Sequence, residues 1–366
     1  MQLFQGKRNQ DMQSNRNIIN DFLWGGATIA VVLGHIIQIL SETMDLDYFS
    51  NPVAIFIISI NMPLFAMISG FYASKKTGLF QGLKKVKRLA IPLLAWTTIY
   101  YVYLVGIRIV TGHGIRFDIT EFVEYLISPY YWFLWALIII IITVNLAEMV
   151  ISKLVHDNMA IRQLLFIMIS IIIMAAFSAI KVPNWQYAWF LFPFYIVGYV
   201  VDIDKIEKTI TVKHTTCLGI LFVLALFIYK REWLFYVSGT SILDTQYGMW
   251  KQLFFNCART VIGIVGCFFI MGLVSCLTRN QKKNHCHGLA TVGRNSLKIY
   301  CIQNLVVSVV FKFAVNIFID RVNVTLTEWE VVAVSVILTV LMMAVINMII
   351  SIIMRILVLD GILFGQ

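Results

Sequence analysis

Apolar residues run along almost the whole chain in stretches long enough to cross a lipid bilayer as helices. A membrane-spanning helix needs roughly 17 to 25 predominantly apolar residues, and about ten stretches approach or exceed this length. The pattern therefore predicts an all-α, polytopic membrane helix bundle of about ten transmembrane helices, with the sixth and seventh spans the least clearly defined. The stretches cover residues 22–42, 52–74, 89–110, 131–150, 163–180, 185–201, 215–230, 252–277, 296–318 and 331–358.

The composition is that of a membrane protein. The 366 residues are 60% hydrophobic and 13% charged, and the mean hydropathy is +0.83, which excludes a soluble globular domain. Because no loop is long enough to form a separate domain, we divide the chain into an N-terminal tail, 1–20, and a transmembrane domain, 21–366. The tail is polar and a full-length apolar span follows it, so we expect no cleavable signal peptide.

The distribution of charge predicts the orientation in the membrane. Segment 75–88 carries six lysines and arginines, whereas segment 41–51 carries three acidic residues and no basic one. Short cytoplasmic loops are enriched in basic residues, so segment 75–88 is predicted to lie inside and 41–51 outside. An even number of spans then places both termini in the cytoplasm. This topology accounts for the net charge of +10. The positive charge is therefore no argument for nucleic-acid binding.

Metal chemistry is not expected from the sequence. The six cysteines show no CxxC pairing, so we expect free thiols. The tract His285-Cys286-His287 is the one cluster that resembles a metal site. Three adjacent residues without a partner motif make a poor tetrahedral site, so we predict no bound metal.

His35 lies deep within the first apolar stretch. An ionisable side chain there is costly unless it faces a protein interior or a water-filled cavity. At 100° per residue, Asp21, Trp24 and His35 fall within about 60° of one another and share one helix face, with His35 about 20 Å from Asp21 along the axis. A neutral imidazole at that depth can take a proton from a hydroxyl. The alternative is a buried histidine whose ring is satisfied by a backbone carbonyl.

Six motifs occur in an order and spacing that resemble the bacterial acyltransferase-3 family, most closely its fucose 4-O-acetylase-like branch. The resemblance covers nearly the whole chain. It implies a ten-helix integral enzyme of the bacterial plasma membrane that moves an acyl group, usually acetyl, from cytoplasmic acyl-CoA to a hydroxyl of a cell-surface or lipid-linked glycan. The motifs are Asp21-x13-His35, Asn61-Met-Pro-Leu-Phe-Ala-Met-Ile-Ser-Gly70, Lys85-Val-Lys-Arg-Leu-Ala-Ile-Pro92, Trp132-Phe-Leu-Trp-Ala-Leu137, Phe192-Pro-Phe-Tyr-Ile-Val-Gly-Tyr199 and Gly293-Arg-Asn-Ser-Leu-Lys-Ile-Tyr300.

The resemblance also implies roles for individual residues. His35 and Asp21 are the predicted catalytic residues, with His35 as the catalytic base and Asp21 on the same helix face. Acyl-CoA binding is assigned to Lys84, Lys85, Arg88 and Ser69, and acceptor binding to Trp132 and Trp135. Simpler roles stay open: a basic membrane anchor for the cations, a hydroxyl bonded back to its own helix for Ser69, and an interfacial aromatic belt for the tryptophans.

Two positions depart from the family pattern. The family places Arg or Lys eleven residues before the histidine, and this chain has Trp24 there; Gln303 stands near a position where many relatives carry histidine. An indole cannot neutralise a phosphate or an oxyanion. One alternative to the enzyme is therefore a relative in which Trp24 has ended catalysis. A second alternative, which does not depend on Trp24, is a transporter or flippase of lipid-linked sugars. The absence of an obvious inverted repeat in the sequence disfavours the transporter.

Overall fold

The computed structural model describes residues 18–73, 79–112, 117–154, 159–201, 206, 209–243, 245–279, 287–322 and 325–365. Several features of the sequence lie outside these ranges. They are most of the predicted N-terminal tail (1–17), Lys75 and Lys76 of the basic segment, and His285 and Cys286 of the tract considered for a metal.

The described residues form helices joined by short loops, with no strand among them, which confirms the all-α prediction. The first helix begins at Ile18, three residues before the predicted start of the transmembrane domain. In chain order the helices are α1 Ile18–Thr43, α2 Pro52–Phe71, α3 Leu79–Val110, α4 Ile119–Ile127, α5 Trp132–Leu154, α6 Met159–Ala179, α7 Trp185–Val200, α8 Val212–Phe227, α9 Phe235–Ser238, α10 Met249–Arg279, α11 His287–Arg294, α12 Ser296–Leu305, α13 Lys312–Val322, α14 Glu328–Arg355 and α15 Leu357–Phe364. A π-helical segment, Val306–Phe311, joins α12 to α13.

Eight helical stretches in the described part of the chain are long and apolar enough to cross a membrane. The sixth and seventh predicted spans correspond to α7 and α8, which have 16 residues each. Their length of about 24 Å is shorter than the roughly 30 Å hydrocarbon core. The polytopic helix bundle is therefore confirmed, with eight stretches of spanning length among the described residues. Helices α7 and α8, at the two weakest predicted spans, are shorter than that length.

Helix α1 lies at the centre of the contacts that organise the bundle. It packs against α2, α10, α11, α12, α13 and α14. Its apolar residues are divided between the two hydrophobic clusters of the interior. In contrast, α6, α8 and α14 expose many large apolar side chains, as expected for helices that face lipid. The helix that carries His35 is thus enclosed by protein.

Ion pairs mark the two ends of the bundle. At one end, which we call the basic end, Arg294 lies against Asp21 and Lys298 against Asp360. At the other end, which we call the far end, Lys312 pairs with Glu42. The charge distribution of the sequence predicts that the basic end faces the cytoplasm.

Helices α2 and α7 cross with their backbones in direct contact. A Cβ atom added to Gly198 would lie 1.9 Å from the carbonyl oxygen of Met67, and one added to Gly70 would lie 2.1 Å from that of Tyr195. Small residues at helix crossings permit this close approach in membranes. Gly70 and Gly198, each part of a sequence motif, therefore serve packing at the basic end.

Replacing Gly198 with alanine should destabilise the protein. The new methyl group has no space unless the two helices separate, and overpacking of this kind costs about 1–3 kcal/mol. The melting temperature of the purified protein in detergent should fall. Gly26→Ala is the matched control, because no atom lies within 4 Å of the added Cβ. An equal melting temperature for Gly198→Ala and Gly26→Ala would contradict the close crossing.

Candidate functional site

His35 lies on α1 and lines a cavity of about 300 Å³ towards the far end of the bundle. Part of the imidazole is accessible from this cavity, because the residue is half-buried while both its chain neighbours, Gly34 and Ile36, are buried. The other polar or aromatic side chains of the lining include Gln38, Glu42, Tyr130, Trp132, Tyr300, Gln303, Asn304, Ser308 and Lys312.

The His35 imidazole makes no hydrogen bond to any residue that the structure describes. A buried histidine with a structural role normally donates or accepts at its ring nitrogens. No backbone carbonyl among the described residues accepts a hydrogen bond from the ring, so the alternative partner is not found there. A ring nitrogen that is free of protein partners and borders a cavity can exchange a proton with a bound hydroxyl.

The rim of the cavity carries an ion pair. The Lys312 ammonium lies 2.8 Å from the Glu42 carboxylate, and the Gln38 amide donates to the same carboxylate at 2.8 Å. Gln38 and Glu42 follow His35 by three and seven residues, so the three share one face of α1. Gln38 and Glu42 could have been identified from the sequence by following the helix face that carries His35 towards the end of α1. Lys312 lies on α13, 270 positions from Glu42, and no local sequence pattern indicates that it reaches this cavity.

The two tryptophans assigned to the acceptor lie in different places. Trp132 lines the cavity and stacks on Tyr187, with ring centroids 4.7 Å apart at an interplanar angle of 29°. Trp135 lies outside the lining, and its indole nitrogen donates to the carbonyl of Leu126 at 2.8 Å. The structure therefore brings Trp132 to His35 and leaves Trp135 as a packed residue between α5 and α4.

Asp21 is buried at the basic end and does not approach His35. Its carboxylate lies 3.6 Å from the Arg294 guanidinium, and the two residues of α1 are separated by about 20 Å along the helix. Helix α11 reaches this point because Gly25 and Gly293 permit backbone contact; a Cβ on Gly293 would lie 1.9 Å from the Asp21 carbonyl oxygen. Asp21 thus anchors α1 to α11 at the basic end.

The residues assigned to acyl-CoA lie on α3 and α2. Lys84 and Arg88 are exposed and Lys85 is half-buried, all within the first three turns of α3. The Ser69 hydroxyl donates to the carbonyl of Phe65 at 2.8 Å, which is the local bond that sequence reasoning gave as its simpler role. The three cations are available to an anionic ligand, whereas the Ser69 donor is already used.

Trp24 begins a column of aromatic rings that leads to the cavity. Its ring centroid lies 5.0 Å from that of Phe65, Phe65 lies 5.6 Å from Phe133, and Phe133 lies 5.7 Å from Tyr300, which lines the cavity with His35. We call these four residues the aromatic column. Trp24 therefore contributes to the packing between the basic end and the site, and it supplies no charge there.

Sequence reasoning missed a buried cation at the basic end. Lys298 is 3% exposed, its ammonium lies 2.5 Å from the Asp360 carboxylate, and it sits 5.3 Å from the centre of the Phe364 ring. These contacts dock α15 against α12. Lys298 belongs to the last sequence motif, but nothing local in the sequence indicates its partner 62 positions away.

The chain is similar in sequence to a known family and to two known proteins. The family model described as an acyltransferase domain, acyltransferase-3, matches residues 21–354. Nodulation protein NolL of Sinorhizobium fredii (strain NBRC 101917 / NGR234) is 27% identical over 192 residues, which are 51% of this chain and 49% of the relative. NolL of Mesorhizobium japonicum (strain LMG 29417 / CECT 9101 / MAFF 303099) is 26% identical over 191 residues, 51% of this chain and 48% of the relative.

The matches to these curated relatives are partial. The chain spans about half the length of the curated relatives it matches. No solved structure matches it significantly.

A stability measurement tests the buried pair at the basic end. Asp360→Ala leaves the Lys298 cation buried without its partner, and we expect a loss of about 3 kcal/mol in the free energy of unfolding. Lys298→Met should cost less, because the Asp360 side chain is 25% exposed and can be hydrated. The double variant Lys298→Met/Asp360→Leu should recover much of the loss.

Melting temperatures in detergent provide the readout for these variants. Arg231→Ala is the control, because the Arg231–Asp47 pair is exposed and should contribute little. If Asp360→Ala melted at the temperature of the Arg231→Ala control, the pair would not hold α15 in place.

Proposed function

The chain belongs to the acyltransferase-3 family, and from this premise we propose that it is a membrane-bound O-acyltransferase. It transfers an acyl group, acetyl in the simplest case, from cytoplasmic acyl-CoA to a hydroxyl of a cell-surface or lipid-linked glycan. The membrane would be the bacterial plasma membrane.

One observation carries the proposal. His35 lies deep in a membrane-spanning helix, its imidazole borders a cavity, and the ring has no hydrogen-bond partner among the described residues. An ionisable residue at that depth carries a desolvation cost, and such residues are seldom retained without a functional role. A cavity that combines polar side chains with aromatic rings, here Trp132 and Tyr130, suits a sugar ring. These features favour a general base that faces a carbohydrate acceptor.

The chemical step needs only one proton acceptor. His35 takes the proton of the acceptor hydroxyl while the hydroxyl oxygen attacks the thioester carbonyl carbon. The new carbon–oxygen bond forms and the carbon–sulfur bond breaks. The departing thiolate of CoA then receives the proton from the imidazolium, so that His35 returns to its neutral form.

The donor is proposed to approach from the basic end. Lys84, Lys85 and Arg88 supply positive charge that suits the phosphates of CoA, although lysine lacks the bidentate fork of arginine. The acyl arm would then extend past the aromatic column towards His35. Asp21 acts in this proposal as a positioning residue, through its contact with Arg294 and the anchoring of α1.

Transfer should depend on His35. In vesicles that contain the purified protein, radioactive acetyl-CoA and a glycan fraction from the producing bacterium, His35→Gln should lower label on the glycan by roughly 10²- to 10⁴-fold, the usual contribution of a general base. His214→Gln is the matched control, because His214 is exposed at the start of α8 and should keep the activity. Equal label with and without His35 would exclude the proposed base.

Trp24 favours a second candidate, a relative that has lost catalysis. Trp24→Arg separates the two, because an arginine can also stack on Phe65 while it restores a cation. For an active enzyme we expect Trp24→Arg to keep or raise the rate of label transfer. A wild type that transfers no label, together with a Trp24→Arg variant that does, would identify the silent relative.

A further inference from the structure

Gln303 carries a buried oxygen without a partner. The residue is 1% exposed, and its side-chain carbonyl oxygen has no hydrogen-bond partner in the part of the chain that the structure describes. A buried acceptor left unpaired in this way is unfavourable and is uncommon in native proteins. The same side chain lines the cavity that His35 borders. A hydrogen-bond donor on a ligand bound in that cavity is the candidate partner for this oxygen.

The backbone around Gln303 is shaped for the cavity. The π-helical segment Val306–Phe311 begins three residues later, and Ser308 within it also lines the cavity. Single π-helical turns within α-helices occur frequently at functional sites. Next to Gln303, the Asn304 amide donates to the Tyr130 carbonyl oxygen at 2.5 Å, which ties this helix to the opposite wall. Gln303 is thus held in place by its own helix and by its neighbour.

The charges of the cavity indicate the class of sugar. Glu42 and Lys312 are the charged residues among the described residues of its lining, beside the neutral His35, and they pair with each other. The lining residues that the structure describes therefore present no unpaired cation to a sugar carboxylate or phosphate. At about 300 Å³, the cavity is at the small end of the range for ligand pockets, which suits one ring with the remainder of the glycan outside.

We infer that Gln303 orients the acceptor: its side-chain oxygen accepts a hydrogen bond from a second hydroxyl of a single, neutral sugar ring whose reacting hydroxyl faces His35. This inference rests on the proposed function for the identity of the acceptor. A deoxy sugar that lacks the second hydroxyl would displace water from Gln303 without replacing its hydrogen bond. Such sites reject analogues that cannot pair with their buried polar group.

A substrate and variant cycle tests the inference. The probes are methyl glycosides of neutral hexoses and 6-deoxyhexoses, each with its further mono-deoxy derivatives, and the donor is radioactive acetyl-CoA. For the wild type, one mono-deoxy derivative that keeps the acetylated hydroxyl should lose about 10- to 100-fold in kcat/KM, as expected for one unpaired buried group. In Gln303→Met the same derivative and its parent should react at equal rates.

Two further variants separate orientation from folding. Gln303→Glu keeps an oxygen at the same position and should retain the discrimination that Gln303→Met loses. Ser170→Ala is the control, because Ser170 on α6 also carries a buried oxygen without a partner among the described residues but does not line the cavity. It should discriminate as the wild type does.

Binding of the same glycosides, measured by saturation-transfer NMR without acyl donor, distinguishes the two proposals. If binding shows the Gln303-dependent preference but no glycoside is acetylated, the enzyme proposal fails and the orienting role of Gln303 stands. A second outcome is that glycosides are acetylated and that the loss in kcat/KM for each deoxy derivative is the same in Gln303→Met as in the wild type. In that case the role of Gln303 is overturned and the enzyme proposal stands. Absence of both binding preference and transfer overturns both.

Discussion

Two glycines allow α1 and α11 to touch backbone to backbone, and the position of His35 depends on that contact. Side chains at Gly25 or Gly293 would fall within 2.3 Å and 1.9 Å of backbone oxygens. The contact fixes the basic end of α1 beside Asp21 and Arg294, and His35 follows on the same helix about 20 Å away. Because an α-helix is stiff over this distance, anchoring one end directs the imidazole at the other end into its cavity.

This arrangement separates the two substrates of the proposed reaction. Positive charge is concentrated at the basic end, around α3 and α11, whereas the cavity near the far end is lined by neutral polar groups, aromatic rings and one internal ion pair. The aromatic column lies between them and keeps the interior apolar. Passage of the acyl arm through this region, as proposed, would bury no charge, and the proposed chemistry would join a cytoplasmic donor to an acceptor from the other side.

Much of the fold was predictable, because span length and apolar content are local properties of the sequence. The two spans that proved short, α7 and α8, were also the weakest in the pattern. The site was only partly predictable. The shared face of Asp21 and His35 follows from helix geometry, but Lys312 and Gln303 reach the cavity from helices more than 260 positions away. Trp132 and Trp135 differ by three positions, and only tertiary packing decides which one faces the cavity.

The central claim is that donor and acceptor meet at His35. A cryo-electron microscopy structure of the protein in lipid nanodiscs, with a non-reactive thioether analogue of acetyl-CoA and a methyl glycoside acceptor, tests it most directly. We expect the nucleotide at the basic end, the acyl analogue beyond the aromatic column, and the sugar in the cavity with one hydroxyl within hydrogen-bonding distance of the imidazole. Ligand density that avoids this cavity, with His35 in contact with neither molecule, would contradict the claim.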